Sequence, residues 1–313
     1  MSIGHTEIRV RGKAIPVPSA LIDGRIVIAT GKWLKVAAVR EEELVEGDTV
    51  AHPESFISQL KASGLKADLF TFAQRLPDKA PKYTYLTEWD NAAAIPITNY
   101  LHWSKELAEY SIRKAVNRAK KLGVVVRLSE FDDAFVEATC SIYNETPVRQ
   151  GKAFWHYKKD FQTIKRELGT YLDRSFFISA HYRDELIGFM KVTSVGTAAT
   201  ITQILSAKKH FEKRPNNALI AKAVEICESQ GMSHLVYGSF VYHAQDTTLT
   251  EFKRRNGFEK VLLPQYYIPL TLKGKIALKL GFHRGLAGNI PNRVFKQLLK
   301  IRSLWYARRF KNC

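Results

Sequence analysis

One stretch of the sequence combines residue types that bind anions and rings. Residues 144–157 read NETPVRQGKAFWHY and carry one carboxylate, two cations, a histidine and three other aromatic side chains. Guanidinium and ammonium groups bind phosphates and carboxylates, and aromatic faces stack on sugars and other rings. The stretch has neither the period of a helix nor that of a strand. It is therefore either an irregular surface loop or the wall of a binding site.

The charge of the chain is strongly positive and unevenly distributed. The net charge is +18, and the residues after Glu259 include twelve Lys and Arg but no Asp or Glu. This asymmetry is typical of proteins that bind a membrane surface, nucleic acid or a phosphorylated substrate, although a basic tail can also serve solubility alone. No run approaches the roughly 20 apolar residues of a membrane-spanning helix. The Cys and His spacing does not predict a metal site.

The N-terminal part is predicted to be a small β-rich unit. It has five short strand-like runs separated by turn signals, namely EIRV, RIVIAT, WLKVAAV, ADLFTF and YTYL, and one helix that begins at Pro53. From Thr98 the pattern changes to a basic amphipathic helix over about 99–122, broken near Tyr110. The predicted divisions are 1–97 for the β-rich unit, 98–272 for a second domain and 273–313 for a basic amphipathic extension.

From residue 124 the predicted elements follow an informative order. Hydrophobic periodicity gives β-α-α-β-β-β-α-β-α-β-β, with the last two strands at FEKVLL and QYYIPLTL. The three consecutive strands between 176 and 207 are joined by tight turns, which predicts an antiparallel meander. The predicted fold class is therefore α+β with a mixed sheet.

This order of elements resembles that of the GNAT acyltransferase superfamily. The sequence FKRRNGFEKV at 252–261 is similar to the closing helix of that superfamily, where a Gly-Phe pair precedes the sixth strand. The sequences SIRKAVNRAKKLGVVV at 111–126 and NETPVRQGK at 144–152 resemble the Fem-type branch. Fem-type enzymes join amino acids from aminoacyl-tRNA to cell-wall precursors, and they are built on two GNAT-like units. The resemblance covers about 100–265, so the first unit would be reduced to residues 1–97 or replaced by them.

The resemblance implies an acyltransferase without a tightly bound cofactor. Its co-substrate would be acyl-CoA or aminoacyl-tRNA, and its acceptor an amine of a cell-envelope or polysaccharide precursor, lipid-linked or a sugar. The start of the sequence lacks the apolar core of a signal peptide, which predicts a cytoplasmic protein, with the inner face of the membrane as a peripheral site. The alternative is a non-catalytic GNAT-shaped module that binds an anionic membrane or RNA through its basic tail.

By the same resemblance, the acyl donor lies between the fourth strand and the following helix. The connecting segment SAKKHFEKRPN lacks the glycines that wrap a pyrophosphate in acyl-CoA members. The N-terminus of the helix and the cations before it can still attract an anion, although an ordinary capped helix is the alternative. The residues expected at the donor site are Gln203, Ile204, Leu205, Lys213, Arg214, Asn216, Asn217 and Ala218.

Acyl transfer to an amine needs a base, a group that stabilises the oxyanion and an acid for the leaving group. Glu145 is the candidate base, because it is the carboxylate nearest the 144–157 stretch. Tyr242 follows the fifth strand, where many members carry a tyrosine acid, and Asp246 could serve instead. Each of the three could also be purely structural. The stretch itself would cover the acceptor side, with substrate contacts from Arg149, Gln150, Gly151, Lys152, Trp155, Tyr157 and also Tyr237.

The C-terminal extension mixes cations with large apolar residues. Val294, Leu298, Ile301 and Trp305 fall near one helical stripe, with Lys and Arg beside it. A cationic amphipathic helix of this composition can lie on an anionic membrane or grip RNA phosphates. Its apolar face can also dock on the protein's own core, which is the structural alternative.

Overall fold

By its internal contacts the chain divides into two units. Within the described residues, unit 1 contains 3–90 and 262–284, and unit 2 contains 91–261. Relative to the predicted divisions 1–97, 98–272 and 273–313, residues 91–97 group with unit 2 and residues 262–284 group with unit 1. The computed structural model describes residues 3–10, 13–149, 152–242 and 246–284.

The secondary structure accounts for most of both units. The strands are β1 Gly4–Val10, β2 Lys13–Ile22, β3 Arg25–Thr30, β4 Val36–Val39, β5 Leu69–Ala73, β6 Leu86–Pro96, β7 Val125–Ser129, β8 Val148–Arg149, β9 Lys152–Ala153, β10 Ser175–Tyr182, β11 Glu185–Val195, β12 Ala198–Ser206, β13 His234–Ser239 and β14 Glu259–Pro269. The α-helices are α1 Pro53–Ala62, α2 Tyr100–His102, α3 Tyr110–Lys121, α4 Asp133–Tyr143, α5 Phe161–Leu168, α6 Pro215–Ser229, α7 Thr248–Arg255 and α8 Leu272–Lys279. Short 3-10 helices lie at Glu42–Leu44, Leu172–Arg174, Lys208–Lys213 and Phe282–Arg284, and a π-helical turn at Trp103–Leu107.

Unit 1 is a sheet that packs against α1. Its strands lie in the order β1-β2-β3-β4-β5-β14. The adjacent pairs are antiparallel except β4 and β5, which are parallel. A parallel pair needs a crossover connection, and α1 supplies it. The helix begins at Pro53, where the missing N–H of proline has no cost.

Aromatic rings fill the core of unit 1. The centroids of Phe70 and Phe72 on β5 lie 5.6 Å apart, and Phe56 of α1 stacks on Phe70 at 5.2 Å. Tyr266 of β14 lies 5.1 Å from Phe72, and its buried hydroxyl donates to Oε1 of Gln74 at 2.8 Å. The core is therefore largely apolar, and the buried hydroxyl of Tyr266 is satisfied.

Unit 2 is a mixed sheet with strand order β6-β13-β12-β11-β10-β7. Strands β10, β11 and β12 form the predicted antiparallel meander, and β13 runs parallel to β12 after the crossover helix α6. The turn between β10 and β11 places Arg183 and Asp184 at positive φ, as a tight two-residue hairpin requires. β6 flanks β13 and β7 flanks β10, both antiparallel.

Helices cover both faces of the unit 2 sheet. One hydrophobic cluster joins α3 and α6 to sheet residues such as Ile178, and a second joins α4 and α5 to Phe177 and Phe189. Because neighbouring strand residues point to opposite faces, Phe177 and Ile178 serve different clusters. Among the described helices, none has the length and apolar content to cross a membrane.

The predicted order of elements is confirmed, with two differences: the two-residue strands β8 and β9 lie between α4 and α5, and the end of the order differs. The two runs expected as separate final strands form the single strand β14. Pro264 lies between the runs, but its carbonyl oxygen still accepts a hydrogen bond from the N–H of Gln74 at 2.8 Å. The proline therefore does not end the strand, because it removes only a donor.

The two units share a topology that is not visible as a sequence repeat. In unit 1, the meander β2-β3-β4 leads through α1 to β5, and an antiparallel strand flanks β5. In unit 2, the meander β10-β11-β12 leads through α6 to β13, which is also flanked by an antiparallel strand. The N-terminal unit is thus a reduced version of the arrangement in unit 2.

Candidate active site

Strands β12 and β13 separate after three paired residues. Residues 198–200 of β12 pair with 234–236 of β13, and within the described chain residues 201–206 have no partner in β13. Thr202 is the extra residue of a bulge, since Ile201 and Gln203 pair with consecutive residues of β11. Backbone groups of β12 therefore line an opening between the two strands.

Strand β13 is irregular at the same place. Its register with β6 shifts between Val236 and Ser239, which leaves Tyr237 and Gly238 as the bulged residues. Gly238 has φ +54°, in the left-handed region that glycine adopts without strain. Both strands thus leave regular pairing where they diverge.

A buried lysine lies against the bulge of β13. The side chain of Lys253 on α7 is 0% exposed, and its Nζ donates to the carbonyl oxygen of Ser239 at 2.7 Å. Nζ also lies 4.4 Å from the ring centroid of Tyr237 and 5.0 Å from that of Tyr242. Burial lowers the pKa of Lys253 from 10.5 to about 8. A buried cation with a shifted pKa is costly for stability, which favours a functional role.

Gly238 leaves space for the ring of Tyr242, one of the two rings that contact Lys253. A Cβ atom at position 238 would lie 2.7 Å from the hydroxyl oxygen of Tyr242. Tyr242 is exposed on its other side, whereas Tyr237 packs inward on Phe258 with centroids 5.9 Å apart. Tyr242 is therefore the more exposed of the two rings that contact Lys253.

A buried amide pair joins the two helices nearest the opening. Nδ2 of Asn217 on α6 donates to Oδ1 of Asn256 at the end of α7, at 3.0 Å. Nδ2 of Asn256 donates to the carbonyl of Phe252 at 2.7 Å, and the carbonyl of Asn256 accepts from Nε1 of Trp103 at 2.9 Å. Asn217 was predicted to bind the donor, but these contacts favour a positioning role for its side chain.

The entry to α6 forms its turn without glycine. Arg214 takes φ 59° and ψ 40°, the left-handed conformation that a glycine would adopt more easily. The first turn of α6 has no acidic residue and no side-chain cap, so its dipole favours an anion there. Lys213 points elsewhere, because its Nζ pairs with Glu212 at 2.5 Å and lies 4.6 Å from the ring of Tyr182.

The predicted donor residues therefore fall into two groups. One group lies on the separated part of β12 and the other at the start of α6, the two elements that border the opening. Contact with a donor stays a prediction for all of them. The β12 group is Gln203, Ile204 and Leu205, and the α6 group is Lys213, Arg214, Asn216, Asn217 and Ala218.

Glu145 caps the 3-10 helix that precedes α6. Its carboxylate accepts from the backbone N–H of Lys208 at 2.5 Å and of Lys209 at 2.9 Å, and it pairs with Nη2 of Arg149 at 3.4 Å. The predicted catalytic role is untested, and the contacts favour a positioning role.

The side chain of Arg149 holds the 144–157 stretch in place through hydrogen bonds to backbone carbonyls. Its Nη1 donates to the carbonyl of Ser206 and its Nη2 to the carbonyl of Ile142, both at 2.8 Å. The guanidinium also lies 4.8 Å from the ring centroid of Phe154, and burial lowers the pKa of Arg149. The side chain predicted to bind substrate is thus engaged by the protein itself.

Other predicted substrate residues occupy the outer part of the stretch. Lys152 and Trp155 are exposed, and Tyr157 is half-buried with Nζ of Lys158 5.9 Å from its ring centroid. Asp246, a predicted acid, is also exposed. Their roles stay predictions. Gln150, Gly151, Val294, Leu298, Ile301 and Trp305 lie outside the described residues.

The structure groups the predicted residues differently from the sequence analysis. Tyr237 and Tyr242 meet around Lys253, which was not predicted, whereas Glu145 and Arg149 meet at the loop before α6. No sequence signal marks Lys253, but in the structure it lies three residues after Thr250 and three before Asn256, which are both buried. Helical spacing therefore places this lysine on the inward face of α7.

Comparisons with known proteins identify the fold. No family model and no curated protein matches the chain. FemX has a solved structure with a TM-score of 0.56 and 10% identity, over 88% of this chain and 90% of that one. The C-terminal domain of a putative lysylphosphatidylglycerol synthetase from Agrobacterium fabrum gives 0.55 and 12%, over 83% and 86%. L-PGS from Bacillus licheniformis gives 0.52 and 15%, over 82% and 85%. The chain has the fold of these proteins, so the predicted Fem-like fold is confirmed.

Proposed function

We propose that the chain is an aminoacyltransferase that moves an aminoacyl group from a charged tRNA to an amine. The observation that carries the proposal is Lys253, a fully buried lysine with a pKa of about 8 at the place where β12 and β13 diverge. An ammonium group in such a site stabilises negative charge far better than it does in water. Unit 2 therefore has the electrostatic element that acyl transfer requires.

The reaction is an attack of the acceptor amine on the ester carbonyl of the donor. The new C–N bond forms as the carbonyl oxygen becomes an oxyanion, and collapse of that intermediate breaks the ester C–O bond. The amine loses a proton, and the ribose oxygen of the tRNA gains one. Lys253 would stabilise the negative charge, and with a pKa of about 8 its ammonium can also supply the proton to the leaving oxygen. Tyr242 would move aside when the donor binds.

A polyanionic donor fits the surface beside the opening. Helix α3 packs against α6 and the 3-10 helix before it, and its outer face carries the exposed cations Lys114, Arg118 and Lys120. The glycine-free entry to α6 argues against a backbone wrapped around the pyrophosphate of CoA. Both features favour charged tRNA over acyl-CoA as the donor.

The acceptor is proposed from the structural neighbours. Two of them are named for the synthesis of lysylphosphatidylglycerol, a lipid that carries an amino acid. These names support a lipid acceptor but not its amine, since phosphatidylglycerol offers hydroxyl groups. For the present chain the acceptor proposed is the amine of a lipid-linked or other cell-envelope precursor. Such an acceptor would place the reaction at the inner face of the membrane.

The proposal is tested by binding and transfer. Purified protein is titrated with charged tRNA, uncharged tRNA, acetyl-CoA and a long-chain acyl-CoA, and transfer of a radiolabelled amino acid to amine acceptors is followed. We expect charged tRNA to bind to the parent chain and to Lys260→Met, a variant of an exposed lysine, and to be turned over by both, whereas Lys253→Met should transfer far more slowly. Turnover of an acyl-CoA alone would contradict the donor assignment, and tRNA binding without transfer would instead support the non-catalytic alternative.

A further inference from the structure

Helix α8 of unit 1 exposes its large apolar side chains. Leu272, Ile276 and Leu280 follow one another at intervals of four residues and therefore lie on one face of the helix. All three are exposed, Leu272 at 75%. An amphipathic helix of a globular protein normally turns such residues toward the core. This face, which we call the α8 stripe, has the reverse arrangement.

Small residues occupy the inward face of the same helix. Gly274 and Ala277 are buried, and a Cβ atom at position 274 would lie 1.9 Å from the carbonyl oxygen of Asp68. The hydroxyl of Thr271 caps the helix by accepting from the N–H of Gly274 at 3.0 Å. The close approach fixes which face points inward, so the exposure of the α8 stripe is built into the packing of the helix.

Two further aromatic side chains extend the exposed apolar surface of unit 1. Trp33 is 61% exposed, and its ring meets that of exposed Phe282 edge-to-face with centroids 5.6 Å apart. Nζ of Lys273 lies 5.3 Å from the Trp33 centroid and donates to the Trp33 carbonyl, which ties the tryptophan to α8. Tryptophan is enriched at membrane–water interfaces, because its ring is amphipathic.

Lysines border the stripe on both sides. At about 100° per residue, Lys275 and Lys279 fall on one side of the stripe and Lys273 on the other. Asp68 is the carboxylate that contacts this surface, and it already pairs with Lys273 at 3.0 Å. The surface is therefore apolar at its centre and positive at its border, which is complementary to anionic lipid head groups above acyl chains.

We propose that the α8 stripe, with Trp33 and Phe282, docks unit 1 on an anionic phospholipid membrane. The exposed apolar side chains would enter the boundary between head groups and acyl chains, while the lysines would meet lipid phosphates. This surface belongs to unit 1, and the inference does not depend on the proposed transfer reaction.

Charge disfavours two other occupants of this surface. The chain's own residues 285–313 contain seven Lys and Arg and no Asp or Glu, so they would meet the lysines of α8 with the same sign. A second copy that used the same face in a two-fold dimer would bring the two sets of lysines together. Anionic lipid is the partner whose charge is opposite.

The test measures partition of the full chain onto vesicles of phosphatidylserine and phosphatidylcholine, and onto phosphatidylcholine alone, by co-sedimentation. We expect binding to the anionic vesicles only. The triple variant Leu272→Ser/Ile276→Ser/Leu280→Ser is expected to lower the partition coefficient by at least about 30-fold. The matched control is Leu21→Ser, which changes a leucine of unit 1 that is 64% exposed, and it should bind like the parent chain.

A charge variant provides an independent measure if the triple variant folds poorly. Lys275→Glu/Lys279→Glu should lower the partition coefficient by at least about tenfold, whereas Lys61→Glu/Lys66→Glu, at two other exposed lysines of unit 1, should change it much less. Parent-like binding by either stripe variant would overturn the proposal, as would equal binding to neutral vesicles or none to anionic ones. Loss of self-association or of tRNA binding, with vesicle binding intact, would overturn it in favour of another occupant.

Discussion

The crossover β4-α1-β5 of unit 1 and the crossover β12-α6-β13 of unit 2 have the same topology but different endings. Three of the four residues of β4 pair with β5, so that the strand stops where its pairing stops. Only three of the nine residues of β12 pair with β13, and the strand continues for six residues beyond. The opening in unit 2 therefore arises because β12 extends beyond the residues that pair with β13.

The helices of the two crossovers differ in the charge of their first turn. Both begin with a proline, but the first turn of α1 contains Glu54, whose Oε1 accepts from the hydroxyl of Tyr85 at 2.6 Å. The first turn of α6 has no acidic residue and follows Arg214. A carboxylate already occupies the positive end of the α1 dipole, whereas the end of α6 stays favourable for an anion.

The interiors of the two units also differ in charge. Unit 1 fills its space with stacked rings such as Phe70 and Phe72, while unit 2 places the ammonium of Lys253 between two tyrosines. Unit 1 is thus packed for stability, whereas unit 2 keeps a buried charge beside the opening, at a cost in folding free energy. Under the proposed function, this comparison assigns the reaction chemistry to unit 2, and the following variants test that assignment.

Lys253→Met is expected to have the largest effect on activity. The substitution keeps an unbranched apolar chain but removes the ammonium, so the transfer rate should fall about 10²- to 10³-fold, as for loss of one oxyanion-stabilising group. Single-turnover transfer measures this rate, with Lys260→Met as the control. A rate within threefold of the parent would place the chemistry elsewhere.

The same variant should be more stable than the parent chain at pH 7. The pKa of Lys253 is about 8 when folded and near 10.5 when unfolded, so the folded chain binds fewer protons between these values. Burial of the charge costs the parent stability below pH 8, and that cost is relieved as the pH rises to about 10.5. Lys253→Met should therefore gain about 1–3 kcal/mol in denaturant unfolding at pH 7 and lose the advantage near pH 10.5. A destabilised variant would indicate that the hydrogen bond to Ser239 outweighs the burial cost.

Arg149→Met separates a structural arginine from a substrate-binding one. Two backbone carbonyls and Glu145 would lose a donor, so we expect unfolding to become easier by about 2–4 kcal/mol. Arg127→Met, at an exposed arginine of β7, is the control and should change stability little. Unchanged stability with a raised KM for the acceptor would show that the original sequence prediction was correct.

Gly238→Ala tests the wall formed by Tyr242. The new Cβ would meet the Tyr242 hydroxyl, and displacement of the ring should lower the transfer rate about tenfold, in addition to a backbone cost of about 1 kcal/mol. Gly196→Ala is a matched control, since Gly196 also has positive φ but a Cβ there meets no atom within 4 Å. Equal losses of activity in both variants would mean that backbone strain, and not Tyr242, is responsible.

Asn216→Glu makes the start of α6 resemble that of α1. A carboxylate in the first turn should compete with an anionic donor and raise its Kd by about two- to fivefold. Gln230→Glu adds the same charge at the other end of α6 and should leave the Kd unchanged, as should Glu54→Gln in unit 1. A change in the donor Kd on Glu54→Gln would contradict the assignment of donor binding to the crossover of unit 2.

The sequence predicted the elements whose signals are local. The three strands of the meander have strong alternating or apolar patterns with turn residues between them, and the helix break near Tyr110 corresponds to Ala108 and Glu109 between the π-helical turn and α3. Strands β2 and β6 were missed. β2 contains Pro16 and Pro18, which fall where the strand pairs with β1 alone, so that their missing donors are tolerated.

The candidate site was predicted less well, because burial decides what a polar residue does. Arg149 has the chemistry of a phosphate ligand, but the structure directs its guanidinium to Ser206 and Ile142. Lys253 looked like one cation in a basic helix until α7 was placed against β13. Residue type limits what a side chain can do, and tertiary packing selects among those possibilities.

The most direct test of the account is the ionisation of Lys253 with and without a donor. The protein is labelled with ¹³Cε-lysine, and the Lys253 signal is assigned by its loss in Lys253→Met and titrated by NMR. We predict a pKa of about 8 for Lys253, and a shift of the signal on addition of a non-hydrolysable charged-tRNA analogue but not of uncharged tRNA. A pKa near 10.5, together with a Lys253 signal that does not shift when the analogue is added, would contradict the claim that this lysine lies at the reaction site.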